Sequence, residues 1–182
     1  MTRSKIKKLT TLGILIAISI VLILILRIPF PTAPFLEYDA GDIPILIGGF
    51  IFGPLAGIVI TIIASVVQAL TVSSANGWLG CFMHIFSTSA LVGISALIYS
   101  KKKTLKRAII GLVLGSLSAT IIMLGLNLIM NPIFYGMTVE QVAKLILPAL
   151  LPFNLMKAGI NSLITLLIYK SAGKLLKRIA EK

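Results

Sequence analysis

A succession of apolar stretches, each separated from the next by a short polar or basic segment, restricts this chain more than any other feature. They run from Leu9 to Ile28, Ile43 to Val72, Leu79 to Tyr99, Ala108 to Met130 and Ile146 to Tyr169. About 20 apolar residues in a helix cross the hydrocarbon core of a bilayer, and every stretch reaches that length. With 58% hydrophobic and 12% charged residues among 182, and a mean hydropathy of +1.07, a water-soluble fold could not cover the apolar surface. The sequence predicts an all-α integral membrane protein, a single membrane domain over residues 1–182. The first stretch follows a basic start, yet it is too long for a signal-peptide core and lacks a small-residue cleavage site, so a retained helix is expected.

The second stretch is too long for one crossing and contains Gly53-Pro54, where a helix can break. Charge decides whether it does. Basic runs occur at Arg3, Lys5, Lys7 and Lys8, at Lys101, Lys102, Lys103, Lys106 and Arg107, and at Lys170, Lys174, Lys177, Arg178 and Lys182. The positive-inside rule assigns all three to the cytoplasm, which requires two helices between Ile43 and Val72. The expectation is six transmembrane helices in a bacterial plasma membrane with both termini cytoplasmic. That assignment leaves Glu37, Asp39, Asp42 and Glu140 outside and only Glu181 inside. Ile43 to Phe52 makes a helix of roughly 15 Å, half a hydrocarbon core. Protein is expected around its outer end, and the loop Pro29-Phe30-Pro31-Thr32-Ala33-Pro34 is placed to fold there as a lid.

Several functions are excluded by what is missing. Cys81 is the single cysteine, so no internal disulfide can form, and His84 is the single histidine, so no metal site is expected. The net charge of +12 lies in runs beside apolar spans, as an anionic inner leaflet favours, rather than on a nucleic-acid-binding face. No Gly-rich phosphate loop followed by Lys-Ser/Thr is present, no span carries an Asp or Glu for a proton relay, and no enzyme activity or cofactor is expected. Uphill movement of a solute would draw its energy from a partner.

The polar residues inside the spans are the candidates for a site. Asn154, Lys157 and Asn161 lie near one face of the last helix. Lys157 is about 10 residues, or roughly 14 Å, from the outer end. An ammonium at that depth needs water, a partner or a ligand unless it snorkels to the headgroups. Asn127 and Asn131 form an i, i+4 pair near the outer end of the fifth helix. They either bond a neighbouring helix or, with Asn154 and Lys157, form a pocket for a neutral, hydroxyl-rich ligand. Asp42 is expected to cap the short helix. Asp39, with Glu37 and Tyr38, is placed to close over a ligand or to sit in a solvated loop. Trp78 and Tyr135 can stack on an aromatic ligand or anchor at the interface. Gly13 and Ala17 form a groove for close helix approach, from within the chain or from another subunit.

Four segments carry a resemblance: Pro31-Thr32-Ala33-Pro34-Phe35-Leu36-Glu37-Tyr38-Asp39-Ala40-Gly41-Asp42-Ile43-Pro44, Phe52-Gly53-Pro54-Leu55-Ala56-Gly57, Gly77-Trp78-Leu79-Gly80 and Pro152-Phe153-Asn154-Leu155-Met156-Lys157. Together they resemble the substrate-binding S components of energy-coupling factor (ECF) vitamin transporters, most closely the riboflavin type, over nearly the whole chain. The resemblance implies a six-helix bundle that binds riboflavin near the outer face beneath the loop between the first two helices. It also implies a transmembrane T subunit and two cytoplasmic ATPases as partners, with reorientation in the membrane delivering the cargo. By the resemblance, Asn127 or Asn131, Asn154 and Lys157 fall at polar contacts to the flavin or its ribityl chain, Asp39 falls in the lid, and Gly13 and Ala17 on the surface that meets the T subunit. Tyr38 and Trp78 join the expected ligand site by their own positions. One position departs from the pattern: Met83-His84 stands where Met-Asn is expected. A membrane assembly factor, whose polar residues only join helices, is the reading from a different class.

Overall fold

The computed structural model describes residues 2–71 and 77–180, with side chains through Tyr169. Val72, Glu181 and Lys182, and the side chains of Lys170, Lys174, Lys177 and Arg178, lie outside the described residues. Helix α1 (Arg3–Ile25) leads into an antiparallel hairpin of β1 (Ile28–Phe30) and β2 (Ala33–Tyr38). Ile28 pairs with Tyr38 and Pro29 with Glu37, and the register shifts at Phe30. Helices α2 (Asp42–Phe52), α3 (Pro54–Thr71), α4 (Gly77–Lys101), α5 (Leu105–Tyr135), α6 (Val139–Leu145) and α7 (Leu151–Ala180) follow, with one wide π-turn, Ile146–Leu150, between α6 and α7.

Among the described residues, five helical segments are long and apolar enough to cross a membrane, the last being Val139–Tyr169, and Asp42–Phe52 is a shorter apolar helix. The break at Gly53-Pro54 is present. Gly53 takes φ +93°, which a side chain would disfavour, while its amide still donates to the Gly49 carbonyl at 2.9 Å. Pro54 then opens α3, where its missing N–H is harmless.

Two boundaries differ from the expectation. Helix α5 does not stop near Met130 but passes through Pro132 to Tyr135, giving up the one bond that the Pro132 nitrogen cannot donate, and ends on Gly136 in the left-handed region. The last helical segment begins at Val139 rather than Ile146, behind a reciprocal cap between Thr138 and Gln141. Pro148 lies inside the π-turn and Pro152 just after it. The wider turn, with the Leu151 amide reaching the Ile146 carbonyl, accommodates backbone that regular α-helix bonding could not satisfy.

In lipid the apolar outer surface gives helices no reason to associate, so close backbone approach and interhelical hydrogen bonds must do it. A Cβ on Gly111 or Gly115 of α5 would lie 2.7 Å from the Ser95 carbonyl oxygen or 2.5 Å from that of Leu91, both on α4. Ser95 Oγ donates across this contact to the Gly111 carbonyl at 3.0 Å. Gly49 and Gly57 likewise seat α2 and α3 against Val92. Around these contacts Ile45, Leu46, Ile60, Leu91 and Val92 form a buried core, while Ile62, Val113 and Ile121 are exposed on the outside of the bundle. At the end away from the hairpin, Phe50, Tyr99 and Tyr169 form one aromatic cluster, with ring centroids 4.7 to 6.0 Å apart and the two tyrosine hydroxyls 2.6 Å apart.

Candidate functional site

The loop expected as a lid is the β-hairpin, and it walls one side of a cavity of about 860 Å³, within the size range of small-molecule sites. Phe35, Leu36, Glu37 and Asp39 contribute from the hairpin, Gly77, Leu79 and His84 from α4, Met123, Asn127, Asn131 and Tyr135 from α5, and Phe153, Asn154 and Lys157 from α7. A smaller recess of about 60 Å³ continues beneath it, between Asp42, His84, Thr88, Thr120 and Lys157.

The charges at the cavity are paired. Lys157 Nζ donates to Asp39 Oδ2 at 2.6 Å, with both side chains largely buried; Asp39 Oδ1 also accepts from the Gly41 amide at 3.0 Å. At the hairpin base the Arg27 guanidinium donates to Glu37. The depth of Lys157 is thus met by a partner as well as a cavity, and it does not snorkel. The amides are only partly committed. Asn127 Nδ2 donates to the Met123 carbonyl at 2.8 Å, and Asn131 Nδ2 to Asn127 Oδ1 at 3.1 Å. Asn154 Nδ2 donates to the Leu150 carbonyl at 2.7 Å. Among the described residues this leaves Asn154 and Asn131 each with a free carbonyl oxygen.

Asp42 does not cap α2. Gly41 holds the cap position without a side-chain bond, and Asp42, 3% exposed, accepts from Thr88 Oγ1 at 3.1 Å and Asn161 Nδ2 at 3.2 Å. His84 Nε2 lies 3.1 Å from its other contact at Oδ1, and His84 Nδ1 lies 2.7 Å from Ser65 Oγ. A carboxylate can only accept, so Nε2 of His84 carries a proton and donates to Asp42, while Nδ1 and Ser65 Oγ share the second hydrogen bond of the ring. The expectation of no buried carboxylate among the spans is corrected by Asp42, and Asp39 is buried beside it: tertiary donors from α4 and α7 satisfy them where local sequence showed only helix-start acids.

Two expected ligand residues are placed elsewhere. Tyr38 is outside the cavity lining; its hydroxyl donates to Asn161 Oδ1 at 2.9 Å. Burial, reinforced by the neighbouring Asp39, raises its pKa above the usual phenol value and keeps it a neutral donor. Trp78 is 64% exposed and outside the lining, because α4 turns Gly77 and Leu79 inward and Trp78 outward. Asn161, from the same helical face as Lys157, is fully buried in the Asp42 network rather than at the cavity. Gly13 and Ala17 are exposed, and a Cβ on Gly13 would meet nothing within 4 Å, so this groove is not used for packing within the chain. Phe153 and Met123 line the cavity without having been singled out; as apolar residues in apolar helices they carry no distinguishing signal.

A bundle of apolar helices around a cavity lined by ion pairs and amides defines a membrane-embedded small-molecule-binding protein. Over residues 7–169 the chain matches the family described as ECF transporter, substrate-specific component, and it belongs to that family. It is a multi-pass membrane protein and not an enzyme. The chain is 30% identical over 180 residues to the riboflavin transporter RibU of Staphylococcus aureus (strain TCH60), covering 95% of this chain and 94% of that one. It is 29% identical over 174 residues, 91% of each chain, to the riboflavin transporter FmnP of Bacillus subtilis (strain 168). A solved structure of the S component of a bacterial ECF transporter superposes with a TM-score of 0.82 at 30% identity, covering 95% of this chain and 99% of that one.

Proposed function

We propose that this chain binds riboflavin in the hairpin-walled cavity and is the cargo-binding subunit of an ATP-driven ECF transporter. The observation that carries the reading is the pairing of charges around the cavity, Lys157 with Asp39 and Arg27 with Glu37, alongside amides from two helices. Cavity charges already engaged in ion pairs, beside several amide donors and acceptors, suit a neutral, planar, hydroxylated molecule. Asn127, Asn131 and Asn154 supply the neutral contacts, Lys157 a charged donor and Asp39 the hairpin side. The names of the relatives point the same way.

The chain contains no phosphate loop, so ATP is hydrolysed by partners, a transmembrane T subunit and two ATPases. The exposed Gly13 and Ala17 stripe on α1 suits the T subunit, since small residues let a foreign helix approach closely. Helix directions put the N-terminal and 101–107 basic runs at the end opposite the hairpin, and positive-inside orientation then makes that end cytoplasmic. Purification should give a yellow protein with flavin absorbance, and added riboflavin should lose fluorescence on binding. A colourless protein that does not quench riboflavin would move the reading to another vitamin or small metabolite.

A further inference from the structure

The hairpin docks on α7 through three residues spaced by four, Phe153, Lys157 and Asn161, which therefore form one ridge on the helix. Phe30 packs edge-on against Phe153 with ring centroids 5.5 Å apart. Asp39 pairs with Lys157 at 2.6 Å. Asn161 accepts from the Tyr38 hydroxyl at 2.9 Å and donates to the Asp39 carbonyl at 3.1 Å and to Asp42 Oδ2 at 3.2 Å. Phe153 and Lys157 also line the cavity, whereas Asn161 does not, and it is 0% exposed. Its amide is occupied in joining the end of the hairpin to the start of α2.

We infer that Asn161 is a positioning residue that fastens the hairpin over the cavity, and that its bond with Tyr38 sets how fast cargo enters and leaves. The inference rests on the riboflavin reading above only for its choice of cargo. Neither Tyr38 nor Asn161 lines the cavity, so their bond is equally good with the cavity full or empty. Weakening it makes opening easier in both states. Entry and exit then accelerate together, and the equilibrium between them is preserved. A residue that touches cargo behaves differently: its loss raises the dissociation constant.

Tyr38→Phe removes the bond at the hairpin side while leaving Asn161 and the Asp42 network in place. Stopped-flow quenching of riboflavin by purified full-length Tyr38→Phe should show association and dissociation both faster by about fivefold, the effect of one modest hydrogen bond, with Kd changed by less than about twofold. Hydrogen exchange of the 28–38 amides in ligand-free Tyr38→Phe and Asn161→Ala should accelerate relative to the parent, while exchange in α4 and α5 stays as in the parent. Unchanged hairpin exchange, or a raised Kd with unchanged association in Tyr38→Phe, overturns the inference. If the parent binds no riboflavin, the cargo reading fails separately, and hairpin exchange alone decides whether Asn161 is the fastening. Should Asn161→Ala fail to fold, Tyr38→Phe carries both measurements.

Discussion

Lys157 of α7 and Asp39 at the foot of the hairpin, 118 residues apart in sequence, meet at 2.6 Å inside the bundle and line the same cavity. The pair gives the cavity a cation while itself adding no net charge, and under the proposed function a change at either residue alters both binding and folding. Removing one member of a buried ion pair costs about 3–5 kcal/mol, much of it from the charge left behind. Lys157→Met should therefore lower the unfolding temperature of the detergent-solubilised protein, and adding Asp39→Asn should recover much of that loss. Riboflavin affinity should fall about ten- to a hundredfold in Lys157→Met, from the loss of a charged donor, and should not return in the double variant. Fluorescence titration and thermal unfolding on the same samples separate the two effects.

Asn154 has no ionic partner, so its replacement is a cleaner measure of contact. Asn154→Leu should weaken riboflavin binding by about fivefold, the equivalent of one neutral hydrogen bond near 1 kcal/mol, with little change in thermal unfolding. Equal binding by the parent and Asn154→Leu would remove this residue from the site.

The α4–α5 contact predicts a contrast between two glycines of the same helix. A Cβ at Gly115 would fall 2.5 Å from a carbonyl oxygen of α4, whereas one at Gly125 would meet nothing within 4 Å. Gly115→Ala should cost about 1–3 kcal/mol, as overpacking does. Gly125→Ala should be neutral or slightly stabilising. Unfolding temperatures in one detergent are sufficient to compare them.

Orientation can be read by labelling. Single cysteines at Ser4, Lys102 and Thr138 in a Cys81→Ser background should react with an impermeant reagent on intact cells only at Thr138. Reaction at Lys102 would invert the proposed placement of the basic runs.

The α1 groove separates binding from transport. Gly13→Leu or Ala17→Leu should leave riboflavin binding by the isolated protein within about twofold, since neither residue is near the cavity, and should reduce uptake by cells expressing the T subunit and ATPases. Without those partners the parent should bind but not accumulate cargo. Accumulation by the chain alone would show that its energy does not come from a separate ATPase.

Sequence reading succeeded where the physics is local and failed where distant groups compete with a local rule. The half-length α2 and its break were legible because Gly53-Pro54 acts within one turn. Asn127, Asn131, Asn154 and Lys157 were legible as a group because helical spacing puts each pair on one face, and the structure brings both faces to one cavity. Asp42 looked like a cap because carboxylates favour helix starts, but Thr88, His84 and Asn161, up to 119 residues away, offer it better bonds. Tyr38 was read as a ligand residue from its position in a lid, and nothing local reveals that its hydroxyl reaches Asn161. Trp78 sits between the lining residues Gly77 and Leu79 yet faces outward, as interfacial anchoring would have it, and helical phase at that resolution is not legible from sequence.

The aromatic cluster of Phe50, Tyr99 and Tyr169 gives the molecule the topology of a cup rather than a tube. Its rim is the hairpin, and three rings with a hydroxyl–hydroxyl bond pack together at the opposite end. Under the proposed function, carrying a molecule across a bilayer becomes a matter of which compartment the hairpin side of the vessel faces, and work done by partner subunits has to turn that vessel or loosen its rim.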